Sequence, residues 1–406
     1  MSSPTLSVKD VVVTMGGEKA FLYIAKAREV AKKGIEVISF GVGQPDIPTF
    51  QHIIDAAKKA LDKKFTGYTE TAGIPELREA IADYLNKRYN AGVNPNEIIV
   101  TTGAKTAILL AIASYIRPGD EVIIPDPTYP AYGQVTKLFG GVPKYIPLKF
   151  EGSERGFKLD IEAIEKSITD KTRMIVLNNP HNPTGTVFTP NEVSKICEIA
   201  KDNKLLLLVD EIYDNFIYGE VEFRSVLLDP DWKDYVLYVN GFSKTFSMTG
   251  WRLGYLVVRK EIVSSIVKLA TNVYSCPVSF AQIGGVAALK GSWEPVKKMI
   301  ELFRKRRDRM HELLSKIPGF EVWKSTGAFY MFPRISKVLK KTGLDVEQFV
   351  DYLLYNYGVV VLPGTAFSEV AGNDFLRFSF ATSIEKIDKG IERISKAVTK
   401  LLEGRT

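Results

Sequence analysis

Six short apolar runs constrain this chain more than any other feature: Ile98 to Val100, Val122 to Ile124, Met174 to Leu177, Leu205 to Val209, Val236 to Val239 and Leu253 to Val258. Each is too short for a helix and rich in branched residues, and none alternates polar with apolar positions, so both faces of each must be covered. Helical periodicity separates them, in Ile53 to Lys64, Pro75 to Tyr89, Lys105 to Ile116 and Asn191 to Lys201, each bounded by proline, glycine or a capping residue. Doubly buried strands alternating with helices fit a parallel or mixed sheet joined by right-handed crossovers. Residues 50–285 therefore read as one large α/β domain.

The remainder has a different rhythm. Long helical stretches at 293–316 and 383–402 flank strand candidates at 319–323, 328–332, 358–362 and 374–380, which predicts a smaller α+β domain over 286–406. Residues 1–49 form an N-terminal segment expected to pack with it. No repeat, low-complexity stretch or polar linker parts the two domains, so they should meet at a cleft. Ligands of open α/β sheets bind beyond the carboxyl ends of strands, and the unusual sequence lies there.

Several function classes fall away on composition. The first thirty residues mix apolar positions with Glu18, Lys19, Lys26 and Arg28, leaving no uninterrupted stretch for a signal peptide or membrane span, and a cytoplasmic location is expected. Cys197 and Cys276 are the only cysteines and form no CxxC pair, so neither a disulfide framework nor a thiolate zinc site is indicated. His52, His181 and His311 lack metal-ligand spacing; no metal is expected, and histidine need not carry the catalysis. The formal charge of +7 comes from dispersed residues. Its densest run, Arg304 to Arg309, reads as a solvated helix face rather than a nucleic-acid patch, while a mild positive field favours anionic small molecules. Glutamine is scarce beside abundant Lys and Glu, which points to a thermophilic source.

Four segments at strand ends carry chemistry. In Asn240 to Tyr255, NGFSKTFSMTGWRLGY, a lysine and an arginine stand eight apart. An amine such as that of Lys244 condenses with an aldehyde when burial or a nearby cation keeps it neutral. Arg252 can grip a phosphate dianion through two parallel hydrogen bonds, as lysine cannot. In Leu205 to Asp214, LLLLVDEIYD, an apolar strand ends on Asp210, with Tyr213 three residues later. A carboxylate there either caps the next turn or meets a ligand. If the ligand has a pyridine ring, the acid keeps the ring nitrogen protonated, and the cationic ring becomes a sink for a carbanion. In Asn178 to Gly185, NNPHNPTG, the prolines and glycine force an irregular turn that holds Asn182 rigidly, as a turn residue or as a donor to a ligand oxygen. Thr101 to Ala107, TTGAKTA, is a strand-to-helix junction whose first amides suit a phosphate.

Together SKxxxMTGWRxGY, NPxNPTG and the DEIY strand end resemble the fold type I, class I aminotransferases that depend on pyridoxal phosphate, in their prokaryotic and archaeal branch, which includes aspartate aminotransferases. The likeness spans nearly the whole chain. It implies that Lys244 holds pyridoxal 5'-phosphate as a Schiff base, that Asp210 pairs with the pyridinium nitrogen, and that Tyr213 and Asn182 bond the phenolic oxygen. Tyr129, in PTYPAY, would stack on the ring. The phosphate would be held by the amides of Ala104 and Lys105 after Gly103, by Ser243 and Arg252, and by Tyr68 in GYTETAGIPELR, contributed by a neighbouring subunit of a homodimer. Many members carry a hydroxyl where this chain has Gly241. By the same resemblance Arg377, in DFLRFSFAT, clamps the substrate's α-carboxylate, with Tyr129, Asn182 and the backbone of Gly43 in the mobile-type loop GVGQPDIPT beside it.

The expected activity is transfer of an amino group from an L-amino acid, aspartate or glutamate first, to a 2-oxo acid such as 2-oxoglutarate, with ping-pong kinetics. Aromatic and 2-aminoadipate donors stay open, since no motif marks the positions that read the side chain; Lys19 is a candidate for a distal carboxylate and equally for solvent. A β-lyase or a cyclising enzyme such as aminocyclopropane-carboxylate synthase shares most of these residues. A non-enzymatic effector-binding module is the reading from another class, and the intact Lys244 argues against it.

Overall fold

The computed structural model describes residues 9–404 apart from Glu18 and Glu220, so that residues 1–8 of the N-terminal segment lie outside the described part. All six apolar runs become strands of one seven-stranded sheet. Across it the order is Ile98–Thr101, Gly254–Val257, Val236–Gly241, Leu206–Asp210, Thr172–Asn178, Glu121–Asp126 and Val142–Pro147. Six strands run parallel, and 254–257 runs against both neighbours. Strands 98–101, 236–241 and 254–257 are buried at every position, as apolar sequence on both faces requires.

The seventh strand, Val142–Pro147, has no counterpart in the sequence reading. It pairs on one side only, with 121–126, and its residues VPKYIP are exposed or half-buried throughout. An edge strand needs no doubly apolar sequence, and its two prolines are tolerated because one row of N–H groups has no ladder to join. The register then sets the site. Thr101, Gly254 and Gly241 stand level across three strands, and Asn178 lies beside Asp210, so the strand ends form one row.

Beyond residue 290 the chain builds an antiparallel sheet of Tyr330–Met331, Leu376–Ser379 and Leu362–Pro363, with helices Glu294–Leu314, Val346–Tyr357 and Ile384–Glu403 around it. The strand expected at 319–323 is reduced to one bridge between Glu321 and Arg334. The N-terminal segment joins this smaller unit. Ile38–Ser39 pairs in parallel with Val359–Val360, and helix Lys19–Lys32 is tied to helix 346–357 by ion pairs from Lys19 to Glu347 and from Lys26 to Asp351. Helix Ser279–Lys290 runs across position 285 and packs on helices Gln51–Asp62 and Pro75–Tyr89.

Four fully buried rings fasten the units together. Phe303 lies 5.5 Å from Phe216, 5.6 Å from Phe329 and 6.4 Å from Phe380, centroid to centroid. Phe216 follows the strand ending at Asp210, while Phe329 and Phe380 belong to the smaller sheet's surroundings. Phe303→Ala should therefore cost about 3–5 kcal/mol of stability, the usual range for emptying a buried aromatic site. The denaturant midpoint measures this, and a loss under about 1 kcal/mol would mean that the cluster is loosely packed.

Candidate active site

The carboxyl-end row of strands opens into a cavity of about 510 Å³ that also meets the smaller unit and the N-terminal helix. Lys244 enters it from the turn after strand 236–241, its Nζ donating to the Gly43 carbonyl at 2.6 Å and lying 5.8 Å from the ring centres of Tyr213 and Phe329. Asp210 ends its strand buried, accepting hydrogen bonds from the Tyr132 hydroxyl at 2.8 Å and the Ile212 N–H at 3.0 Å. Burial pushes its carboxyl up to about 6, against the opposing pull of Tyr132, the Ile212 amide and Lys244. The Tyr213 and Tyr330 hydroxyls are 2.8 Å apart. Burial holds the Tyr213 phenol well above its ordinary range, so it stays protonated.

Asn182 also lines the cavity. Its turn contains cis bonds before Pro180 and Pro183, and its N–H donates to Asn178 Oδ1 at 2.8 Å. His181, in the same turn, is buried against Thr184, and burial lowers its pKa to about 3, leaving a neutral imidazole.

At the other end of the cavity the backbone is bare. Gly103 caps helix Ala104–Tyr115 at φ +90°, and a Cβ there would fall 2.5 Å from the Arg252 guanidinium. A Cβ on Gly254 would fall 2.5 Å from the Ala104 nitrogen. Glycine at both positions thus lets Arg252 and the strand end close on the helix start, where the first-turn amides and the positive dipole end gather. Ala104, Lys105, Ser243 and Arg252 all face the cavity here. A Cβ on Gly241 would sit tightly, 3.0 Å from the Gly254 Cα.

Arg377 occupies the third side. It is buried, its guanidinium lies 4.5 Å from the Tyr330 ring centre and 4.2 Å from that of Phe367, and it donates to the Gly41 carbonyl at 2.6 Å and to Asn182 Oδ1 at 3.3 Å. Gly43 must be glycine, because a Cβ would meet the Tyr330 hydroxyl at 2.6 Å. Tyr129 faces the cavity edge-on to Tyr132.

Of the residues anticipated from sequence, Gly43, Ala104, Lys105, Tyr129, Asn182, Asp210, Tyr213, Ser243, Lys244, Arg252 and Arg377 come together around this cavity. Gly103 supports it from behind as the helix cap. Tyr68 does not reach it and is 92% exposed. Lys19 lies on the wall but is paired with Glu347 and Thr365. Sequence reasoning missed Tyr132, Asn178, Tyr330, Phe367 and the apolar pair Phe21 and Ile24. Tyr132 and Asn178 sat inside quoted motifs; the others carried no local signal. Among the described residues no cluster of three or more His, Cys, Asp or Glu is placed to hold a metal, and no helix is long and apolar enough to cross a membrane.

Residues 35–394 match the family model for aminotransferase class I and II. The chain belongs to that family. It is 53% identical over 390 residues to an aspartate aminotransferase of Sulfurisphaera tokodaii, covering 96% of this chain and 97% of that one. A second aspartate aminotransferase, of Sulfolobus acidocaldarius, is 50% identical over 391 residues, with 96% and 97% covered. Among solved structures, the aspartate aminotransferase of Thermus thermophilus with maleate superposes with a TM-score of 0.90 at 32% identity, covering 97% of this chain and all of that one. The aromatic aminotransferase of Pyrococcus horikoshii gives 0.85 at 37% identity, with 92% and 99% covered.

This aminotransferase is thus of the pyridoxal-phosphate-dependent kind, and its residues fit that group. A buried carboxylate raised by desolvation suits a cationic ring nitrogen, the glycine-lined helix start suits a phosphate, and an amine lies between.

Asp210 also makes stability depend on pH before cofactor is added. The native state keeps its proton to about pH 6, while the unfolded chain releases it near the ordinary value of about 3.9. Unfolding then releases a proton between those values, so stability falls as pH rises from about 4 to 6, by about 3 kcal/mol in full. Asp210→Asn should flatten this slope in denaturant titrations of cofactor-free protein. An identical slope in the variant would place the proton elsewhere.

Proposed function

We propose that this aminotransferase draws its amino group from aspartate or glutamate and delivers it to a 2-oxo acid such as 2-oxoglutarate, with Lys244 as the proton-moving amine. The observation that carries the reading is the convergence of the Lys244 amine, the buried Asp210 carboxylate and the buried Arg377 on a single cavity. When bound, pyridoxal phosphate supplies a carbonyl carbon that condenses with amines and a cationic ring that withdraws electrons from the substrate's α-carbon. Asp210 would hold the ring nitrogen's proton, Tyr213 and Asn182 would donate to the phenolic oxygen, and Tyr129 would cover the ring face. Ala104 and Lys105 amides, with Ser243 and Arg252, would take the phosphate.

Arg377 binds the α-carboxylate in this reading and so decides which α-bond stands across the ring. The Lys244 amine would accept the α-proton in the donor half-reaction and give it to the carbonyl-derived carbon two atoms along, and would do the reverse in the acceptor half-reaction. The names of the Sulfurisphaera and Sulfolobus relatives support a dicarboxylate donor. A second reading has its own observation: Phe21, Ile24 and Ile108 give the cavity an apolar wall, which favours aromatic donors.

A homodimer with shared sites belongs to the same proposal. It is supported by the exposure of Tyr68 amid other apolar groups left in solvent, among them Leu61, Phe65, Val273 and Val278.

Lys244→Ala should fold and lose turnover by at least about 10⁴-fold, the scale of general acid–base catalysis; borohydride trapping with peptide mapping should label Lys244 in the parent protein. A label elsewhere rejects the assignment. Arg377→Ala should raise KM for donor and acceptor acids by about 10- to 100-fold, matching a lost charge-assisted pair, and unchanged KM for every acid would remove it from that role. A panel of donors separates aspartate from aromatic specificity.

A further inference from the structure

Tyr330 touches both Tyr213 and Arg377, and nothing above assigns it a role. Its strand pairs with 376–379, setting Tyr330 opposite Ser379 and its ring over the neighbouring Arg377 guanidinium at 4.5 Å. The Phe367 ring centre lies 4.2 Å from the same guanidinium. The Tyr330 hydroxyl meets Tyr213 at 2.8 Å, with the two rings edge to face. Its backbone is fixed as well: the Ser325 hydroxyl donates to the Tyr330 carbonyl, and the ring is 1% exposed. The side chain has one place to lie.

Two phenols sharing one hydrogen bond must divide the roles of donor and acceptor. If Tyr213 donated to Tyr330, its only proton would be spent there. If Tyr330 donates, the Tyr213 proton is left for the cavity. A guanidinium against the face of Tyr330 withdraws density from that ring and favours it as the donor. The same contact packs the guanidinium against an aromatic ring, which restricts how it can turn.

Resting on the aminotransferase reading above, we infer that Tyr330 is a positioning residue with two separable effects: its hydroxyl donates to Tyr213 and turns the Tyr213 proton to the cofactor's phenolic oxygen, and its ring fixes Arg377 for the substrate carboxylate. The first effect belongs to the oxygen and the second to the ring, so two variants divide them. Tyr330→Phe keeps the ring and loses the donor, and Tyr330→Leu loses both.

The test uses wild-type protein and both variants loaded with pyridoxal phosphate, and reads the pH midpoint of the cofactor absorption band as well as KM. Without Tyr330's donated bond Tyr213 becomes a weaker donor and the phenolic oxygen holds protons more tightly. The midpoint should therefore rise by about 0.5 to 1 pH unit in Tyr330→Phe, the size of one hydrogen bond, with KM for the working donor within about twofold. Tyr330→Leu should show the same midpoint rise and, in addition, a KM for the donor and an inhibition constant for its deaminated acid about 10-fold higher, the scale of a buried cation–π contact. A midpoint in Tyr330→Phe equal to wild type, or a Leu variant whose KM matches the Phe variant's, overturns the inference while leaving the aminotransferase reading intact. A wild-type protein that takes up no cofactor overturns both.

Discussion

The cost of burying the Asp210 carboxylate organises this molecule. A strand of Leu and Val delivers an acid into a site with 4% exposure, where its protein partners are one phenol and one amide at hydrogen-bond distance. Two such bonds leave a carboxylate in low dielectric short of full compensation, hence its upward shift. Its chain neighbour makes the contrast. Glu211 is fully buried too, bonded by Ser225 and the Val226 amide, and burial pushes it up to about 8. Burial raises both acids, and of the two only Asp210 lines the cavity. One position along the chain separates an acid that serves the fold from one that waits for a cation.

Bringing an arginine, a helix start and an amine to the cavity that holds this acid is a packing problem solved with glycine. Strands 98–101, 254–257 and 236–241 bring Thr101, Gly254 and Gly241 level. The middle glycine lets the helix start approach, and the outer one keeps the contact between the strands from being crowded. Arg252 itself sits at φ +54°, a conformation costing about 1 kcal/mol for a residue with a Cβ. The strain is accepted where the guanidinium packs against bare backbone at Gly103.

Most of the large sheet was legible because doubly buried strands write their environment into every residue. Leu205 to Val209 could be nothing else, and the helix after Gly103 announced its start. The edge strand 142–147 was silent since one free edge removes the apolar requirement, and helix 19–32 was silent since its partners are ion pairs and a groove built far away in sequence. The site divides along the same line. Lys244, Asp210, Asn182 and Arg252 lie in contiguous segments whose residue types match a chemistry, so they could be named from sequence. Tyr330 and Phe367 act by stacking on a cation that reaches them only through strand pairing, and a stacked aromatic looks in sequence like any core aromatic.

Phe367 also explains how the arginine's geometry is shared between the two units. Its carbonyl accepts from the Thr128 N–H at 2.6 Å, the Ser368 hydroxyl donates to Asp126, and the Glu369 N–H donates to the same carboxylate at 3.0 Å. Asp126 is the fully buried last residue of a large-sheet strand, so the loop carrying Phe367 is anchored to the large unit although its chain belongs with the smaller one. Tyr330, whose ring centre lies 4.5 Å from the same guanidinium, is anchored to the smaller sheet. The two rings packed on Arg377 therefore have separate anchorages, and their places about it depend on how the units sit together. A carboxylate bound at Arg377 would be read by both units at once, which ties the α-carboxylate contact to the same packing that aligns Asp210 and Lys244.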